Sequence, residues 1–171
     1  MAFDFSADHI AAGSGSYEPQ RLNHFEVTFA NIGSTELVQK CLRSFEPPHR
    51  EIDAVEIPYA NENRKVAGRV SVTDANMVIG DYCDKDSWKA FHDWLNLVHN
   101  VATGAIGMAK DYKKDGTVSY YGPNGELKRS WTCQGCWPKS VSPEQFSMES
   151  NEQNTLTVPL ACDKVKPADG Q

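Results

Sequence analysis

The sequence predicts a mainly β fold with one helix laid across it. Three observations carry that expectation. The stretch Asp86 to Asn100 is the only persuasive amphipathic helix in the chain. The runs on either side of it alternate apolar and polar residues, the period of a half-buried strand. Several of those runs keep a convincingly polar second face, which suits a sheet with one side on a core and the other in water.

At about 100° per residue, Trp88, Phe91, Trp94, Leu95, Leu97 and Val98 fill roughly one half of the helical wheel. Trp88, Phe91, Trp94, Leu95 and Val98 are the expected core face. Lys89, His92, Asp93, Asn96, His99 and Asn100 fill the other half. Asp86 is placed to cap the amino end by accepting a backbone N–H. So much aromatic surface on one face needs a large apolar cover, and only a sheet is available to supply it.

Residues 1–20 carry Ala-Ala-Gly-Ser-Gly-Ser and one proline without any period, so they read as a flexible arm. Phe25, Val27 and Phe29 alternate with Glu26 and Thr28 in a first strand. A second strand is expected from Leu37 to Phe45, ended by Pro47-Pro48, and a third from Ile52 to Tyr59, with Val55, Ile57 and Tyr59 on one face. The polar stretch Asn61-Glu-Asn-Arg-Lys65, running on to Gly68, reads as an exposed loop. A fourth strand is expected from Arg69 to Ile79, with a bulge at Asp74-Ala-Asn. After the helix, Thr117–Tyr121 and Glu126–Cys133 form a hairpin. Its loop, Gly122-Pro-Asn-Gly125, suits a type I turn with a glycine bulge. Glu144–Met148 and Asn154–Cys162 are expected as a closing strand pair. Pro159 cannot donate to a ladder and must turn that side to an edge or bulge. Residues 164–171 read as a frayed tail.

The totals exclude several classes. The 171 residues suffice for one domain with a real core. A net charge of −6 argues against a protein that grips nucleic acid through its phosphates. Five cysteines, an odd number, do not suggest a disulfide framework, and a reducing compartment is the simpler expectation. The opening residues lack the basic and apolar blocks of a secretory signal. No run approaches the roughly 20 apolar residues of a membrane span.

Reactive chemistry is sparse. Cys133-Gln-Gly-Cys136 could bind zinc or cycle as a redox pair. Zinc needs about four ligands, and no second such motif exists. A redox motif opens a helix, whereas this one ends a strand before Trp137-Pro138. The pair reads as small buried residues beside a sheet corner. His92 and His99 lie roughly 10 Å apart along the helix, too far to share a metal. Asp81, Asp84 and Asp86 lack the glycine and glutamate of a calcium loop and read as negative charge at a helix start. The glycine-rich phosphate loops and the serine nucleophile elbow are absent. No catalytic residue, metal ligand or cofactor site is expected.

Five segments in order resemble the tail tube family of contractile-tailed, T4-like bacteriophages. They are Arg21-Leu-Asn-His-Phe-Glu-Val27, Ile57-Pro58 with Asn63-Arg-Lys-Val-Ala-Gly68, Trp88-Lys-Ala-Phe-His-Asp-Trp94, Gly135-Cys-Trp-Pro138 and Asn154-Thr-Leu-Thr-Val-Pro-Leu-Ala-Cys-Asp163. The resemblance covers about Arg21 to Asp163. It implies a single domain over 21–163, an antiparallel β-barrel or β-sandwich with one flanking helix. It also implies hexameric rings that stack into the inner tail tube inside a contractile sheath. The implied partners are further copies of the chain, the sheath protein, baseplate and tail terminator proteins, and a tape measure protein in the lumen. DNA passes through without specific binding. The implied place is the virion tail, assembled in the host cytoplasm.

On this footing the loop around Tyr59, Asn61, Glu62, Asn63, Arg64 and Lys65, with the amino-terminal arm, is expected to contact the next ring. Two other readings stay open. One is the inner tube of a phage-derived injection particle or bacteriocin. The other, of a different class, is a small β-barrel metal-binding module using Cys133 and Cys136.

Overall fold

Alternation becomes pairing wherever both faces of a strand have a purpose. The computed structural model describes residues 21–30, 32, 35–82, 86–149 and 151–168. The expected arm, Cys83, Asp84 and the last residues of the tail lie outside them. The elements are β1 (Phe25–Phe29), α1 (Thr35–Cys41), β2 (Leu42–Glu46), β3 (Arg50–Tyr59), β4 (Glu62–Val72) and β5 (Ala75–Gly80). Then come α2 (Ser87–Val98), α3 (Ala109–Tyr112), β6 (Lys114–Tyr121), β7 (Leu127–Pro138), β8 (Ser142–Pro143), β9 (Thr155–Ala161) and β10 (Lys164–Pro167).

Eight strands form one antiparallel sheet in the order β1-β6-β7-β9-β5-β2, with β10 beside β7 and β8 beside β9. The remaining two, β3 and β4, form a separate hairpin. The antiparallel β class therefore holds, but one chain does not close the barrel: β1 and β2 stand at the two ends of the path and do not pair with each other.

In β9, Leu156, Val158 and Leu160 are buried while the residues between them are half-buried. In β5 they face Ala75, Met77 and Ile79, also buried. Val27 and Phe29 of β1 and Val118 of β6 complete one continuous core. Pro159 sits within this sheet at little cost. Its C=O accepts from Lys139 N–H at 2.9 Å, just past the end of β7, so its donorless nitrogen faces the ladder's end.

The junction of β7 with β9 and β10 is a corner. Trp137 opposes Ala161 on one side of it and Gln134 opposes Lys164 on the other, and between them Asp163 N–H donates to Gln134 C=O at 3.0 Å. Between these pairs Gly135 takes φ +67°, a left-handed value that costs glycine nothing. Its N–H donates to Asp115 Oδ1 at 2.9 Å, and a β-carbon there would collide with the Asp163 carboxylate. Lys113 Nζ holds that carboxylate at 2.6 Å, and the hydrogen bond raises the lysine pKa. The turn after β6 also forms: Gly125 N–H donates to Gly122 C=O at 3.0 Å, with Gly125 at φ +79°.

Helix α2 is capped by Asp86, whose Oδ1 accepts from Lys89 N–H at 3.0 Å. Its buried face is narrower than the wheel suggested. Phe91 and Trp94 are buried, Leu95 and Val98 are half-buried, and Trp88 is 44% exposed. The buried arc centres between Phe91 and Trp94, so Trp88 and Leu97 each fall roughly 90° away at 100° per residue. Trp88 stacks on His92 instead, with ring centroids 4.4 Å apart. Trp94 packs on Phe29 and Phe91, and its Nε1–H donates to Tyr112 C=O at 2.7 Å. That bond ties α2 to α3.

Other expectations need correction. Leu37–Phe45 is not one strand but α1 followed by β2. Val38 and Cys41, three residues apart, are both buried, a helical spacing. Residues 62–68 are strand, not loop, and the expected fourth strand is two strands in different sheets. Residues 144–148 form no strand; Phe146 and Met148 are exposed, and only the short β8 pairs with β9. Residues 164–167 are strand rather than frayed tail. There are three helices among the described residues, not one.

Trp94→Ala should cost about 3–5 kcal/mol in chemical denaturation, and Trp88→Ala less than about 1 kcal/mol in the isolated subunit. Equal effects would contradict this orientation of α2. Gly135→Ala should lose at least about 1–2 kcal/mol, from the left-handed conformation alone, measured the same way.

Candidate functional site: an unpartnered hairpin and two open sheet edges

Strands β3 and β4 pair with each other and with no other strand among the described residues. Their register sets Ile52 opposite Val70, Val55 opposite Val66, Ile57 opposite Arg64 and Tyr59 opposite Glu62. A register shift between Ile52 and Ala54 places one extra residue in β4, so β3 alternates without a break and Ile52 and Val70 fall on the face opposite Val55. Gly68 lies across from that irregularity, where a β-carbon would press on Val55 and the Asp53 carbonyl. The result is an apolar stripe of Val55, Ile57, Tyr59 and Val66 on one face, with Ile52 and Val70 opposite each other on the other face near the base, all six 46–61% exposed. Lys65 and Glu56 pair on the opposite face at 3.2 Å. An amphipathic two-stranded hairpin in water is marginal by itself, and this one offers its apolar side to nothing in its own chain among the described residues.

The base of the hairpin is fixed. Thr73 N–H donates to His49 C=O at 2.9 Å, and His49 N–H donates to Thr73 Oγ1 at 2.9 Å. The tip turns through Ala60 and Asn61, with Ala60 at φ +54°. That left-handed value strains an alanine.

The contact residues expected from sequence fall on two faces of the hairpin. Tyr59 and Arg64 share the apolar face, the Arg64 guanidinium lying 4.4 Å from the Tyr59 ring centre. Glu62 opposes Tyr59. Lys65 pairs with Glu56, Asn63 opposes Pro58, and Asn61 is in the turn. Sequence reasoning missed Ile52, Val55, Ile57, Val66 and Val70 as surface residues. The alternation was visible in β3, but alternation does not say whether the apolar face meets the chain's own core or another molecule.

The second feature is the pair of sheet ends. A cleft of about 670 Å³ lies between β1 and β2, lined by Phe25, Val27, Leu42, Phe45 and Tyr120 among others. Gln39 of α1 bridges it to Glu26. Glu26 also accepts from Tyr121 O–H at 2.7 Å, which raises the tyrosine pKa. Beyond these side-chain ties, the outer edges of β1 and β2 carry no ladder among the described residues.

The Cys133–Cys136 motif is the sheet corner itself. Both thiols are buried, and Cys136 Sγ lies 2.9 Å from Cys162 Sγ. Its hydrogen bonds to Cys133 and Cys162, with burial, hold the Cys136 thiol protonated far above its ordinary range. Among the described residues no three His, Cys, Asp or Glu side chains gather for a metal ion.

An unclosed antiparallel sheet with a projecting apolar hairpin is the geometry of an assembly subunit. The profile of the family described as "T4-like virus tail tube protein gp19" matches residues 21–166, and the chain belongs to that family. It is a structural inner tube protein of a contractile tail. No curated protein matches it. Solved structures share the fold. A protein in the cryo-EM structure of the anti-feeding prophage cap superposes with a TM-score of 0.69 at 21% identity, covering 88% of this chain and 91% of that one. A chain of the PVC sheath/tube terminator, from an extracellular contractile injection system in its extended state, gives 0.68 at 21%, over 88% and 97%. A chain of the PVC sheath-tube complex gives 0.66 at 21%, over 96% and 98%.

Ala60→Gly should relieve the strained turn and stabilise the hairpin by about 1–2 kcal/mol. Hydrogen exchange should show slower opening of the β3 and β4 amides. Unchanged exchange would mean that the hairpin's stability is set elsewhere.

Proposed function

We propose that six copies of this chain close into a ring, that rings stack into the inner tube of a contractile tail, and that the tube conducts DNA into the host. The observation that carries this is the β3–β4 hairpin, whose apolar stripe has no cover among the described residues. A neighbouring copy supplies that cover. The open edges of β1 and β2 meet strands or loops of adjacent copies, and a head-to-tail contact that closes produces a ring. The hairpin's tip residues and the amino-terminal arm reach the next ring.

The sheath, terminator and baseplate are the proposed outer partners. Proteins of similar fold occur in a sheath-tube complex, a sheath/tube terminator and a baseplate. A tape measure protein occupies the lumen during assembly in the host cytoplasm. The protein acts by assembly, without a catalytic step. A charge of −6 per copy, repeated along the tube, discourages phosphate binding and lets DNA move. The same structural role in an injection particle would differ only in cargo. The injection-system setting of the similar structures favours testing that reading, by looking for capsid genes beside this one.

Ile57→Lys should abolish rings and tubes in negative-stain micrographs while leaving the subunit's melting temperature within a degree or two. A charge in the apolar contact costs about 2–5 kcal/mol at each copy. Normal tubes from this variant would remove the hairpin from the contact.

A further inference from the structure

The thiols of Cys136 and Cys162 are placed to be joined. Register, geometry and access each support this. Trp137 opposes Ala161 at the end of the β7–β9 ladder, and the next residue outward on each strand is Cys136 and Cys162. Lys139 N–H bonds Pro159 C=O, so Trp137 and Ala161 occupy a hydrogen-bonded position and the two cysteines the next, non-hydrogen-bonded one. Side chains approach most closely there, and the Cα spacing typical of such pairs, about 4.5 Å, lies within the range a disulfide spans. The sulfurs stand 2.9 Å apart without a bond. Cys136 is sealed in the core, whereas Cys162 is only partly buried. Cys133 is buried and lies opposite Val165 and Gly116, not opposite another cysteine.

We propose that Cys136 and Cys162 form an intrachain disulfide when the protein meets a hydroperoxide, stapling the corner between β7 and the β9–β10 run. The less buried Cys162 reacts first. Its thiolate attacks one peroxide oxygen, the O–O bond breaks, and the leaving oxygen takes a proton. Cys162 is then a sulfenic acid. The Cys136 sulfur attacks the Cys162 sulfur; the S–S bond forms, the S–O bond breaks, and the oxygen leaves as water with the Cys136 proton. Two thiols lose two electrons, and the peroxide gains them. Little movement is needed, because both sulfurs are already held on facing strands. The staple lies where Gly135 bends the strand, so it fixes β10 to β7 at the point of least ladder support.

The test is hydrogen peroxide treatment of the purified full chain, assembled and unassembled, followed by alkylation in denaturant and mass spectrometry. Wild type should lose two alkylatable thiols and the mass of two hydrogens. Fragmentation spectra that separate Cys133 from Cys136 should place the link at Cys136–Cys162. The oxidised protein should melt several degrees above the reduced one, since the bridge restricts the unfolded chain. Cys162→Ser and Cys162→Ala should show neither the link nor the shift. A link between Cys133 and Cys136, links between chains, or Cys162 oxidised beyond the sulfenic acid with Cys136 still alkylatable would each overturn the proposal. The wild-type peptide map decides the matter even if both variants fold poorly.

Discussion

The eight-stranded sheet depends on the bend in β7. That strand pairs with β6 along one side, and with β10 and then β9 along the other. Half of the sheet, β1-β6-β7, reaches the other half, β9-β5-β2, only through the few residues around Trp137 and Pro138. A straight strand could not serve both, because its residues would carry one register and one facing throughout. Gly135 supplies the change of direction. Asp115 satisfies its N–H, while Lys113 holds Asp163 against the same place. The apolar faces of the two halves then meet in one core, with Val27 and Val118 from one side and Met77, Leu156 and Val158 from the other.

What the bend brings together, it does not seal. The sheet curls until β1 and β2 flank one cleft, and α1 sits across the opening. Open edges and an exposed apolar hairpin invite association with whatever chain is near. In an isolated subunit they are a hazard. In a tube every chain finds the same partner in the same orientation, and the hazard becomes the bond. Membership of the tail tube family and the shape of the single chain thus point the same way from independent observations.

Legibility followed burial. β1 and β9 could be read because each has one face in the core, and α2 because Phe91 and Trp94 repeat at a helical spacing. α1 escaped because Leu37 to Phe45 holds too few residues to separate a short helix from a strand, and tertiary contacts at Val38 and Cys41 decide it. β4 escaped for the opposite reason. A strand with water on both faces can be polar throughout, so Asn61 to Lys65 resembled a loop although Asn63, Arg64 and Lys65 each have a ladder partner. β10 was hidden by its lysines, which are compatible with an exposed strand once the chain has passed the corner. The sequence reading placed its candidate contact at the hairpin's tip and left out the exposed apolar residues along its length, since nothing in an alternating pattern distinguishes a face meant for the chain's own core from one meant for a neighbour.

That last ambiguity bears on function. A ten-residue strand at about 3.3 Å per residue reaches on the order of 30 Å, comparable to the width of a small domain. The His49–Thr73 bonds close the hairpin's base by joining its two strands to each other. Had the stripe from Val55 to Tyr59 been meant for its own chain, a shorter hairpin folded back over the core would have buried it. A long one leaves the apolar surface exposed, which suits the proposed contact with another copy. In the proposed tube the hairpin is therefore completed by assembly, and its low stability in the free subunit would delay its full ordering until a neighbour arrives.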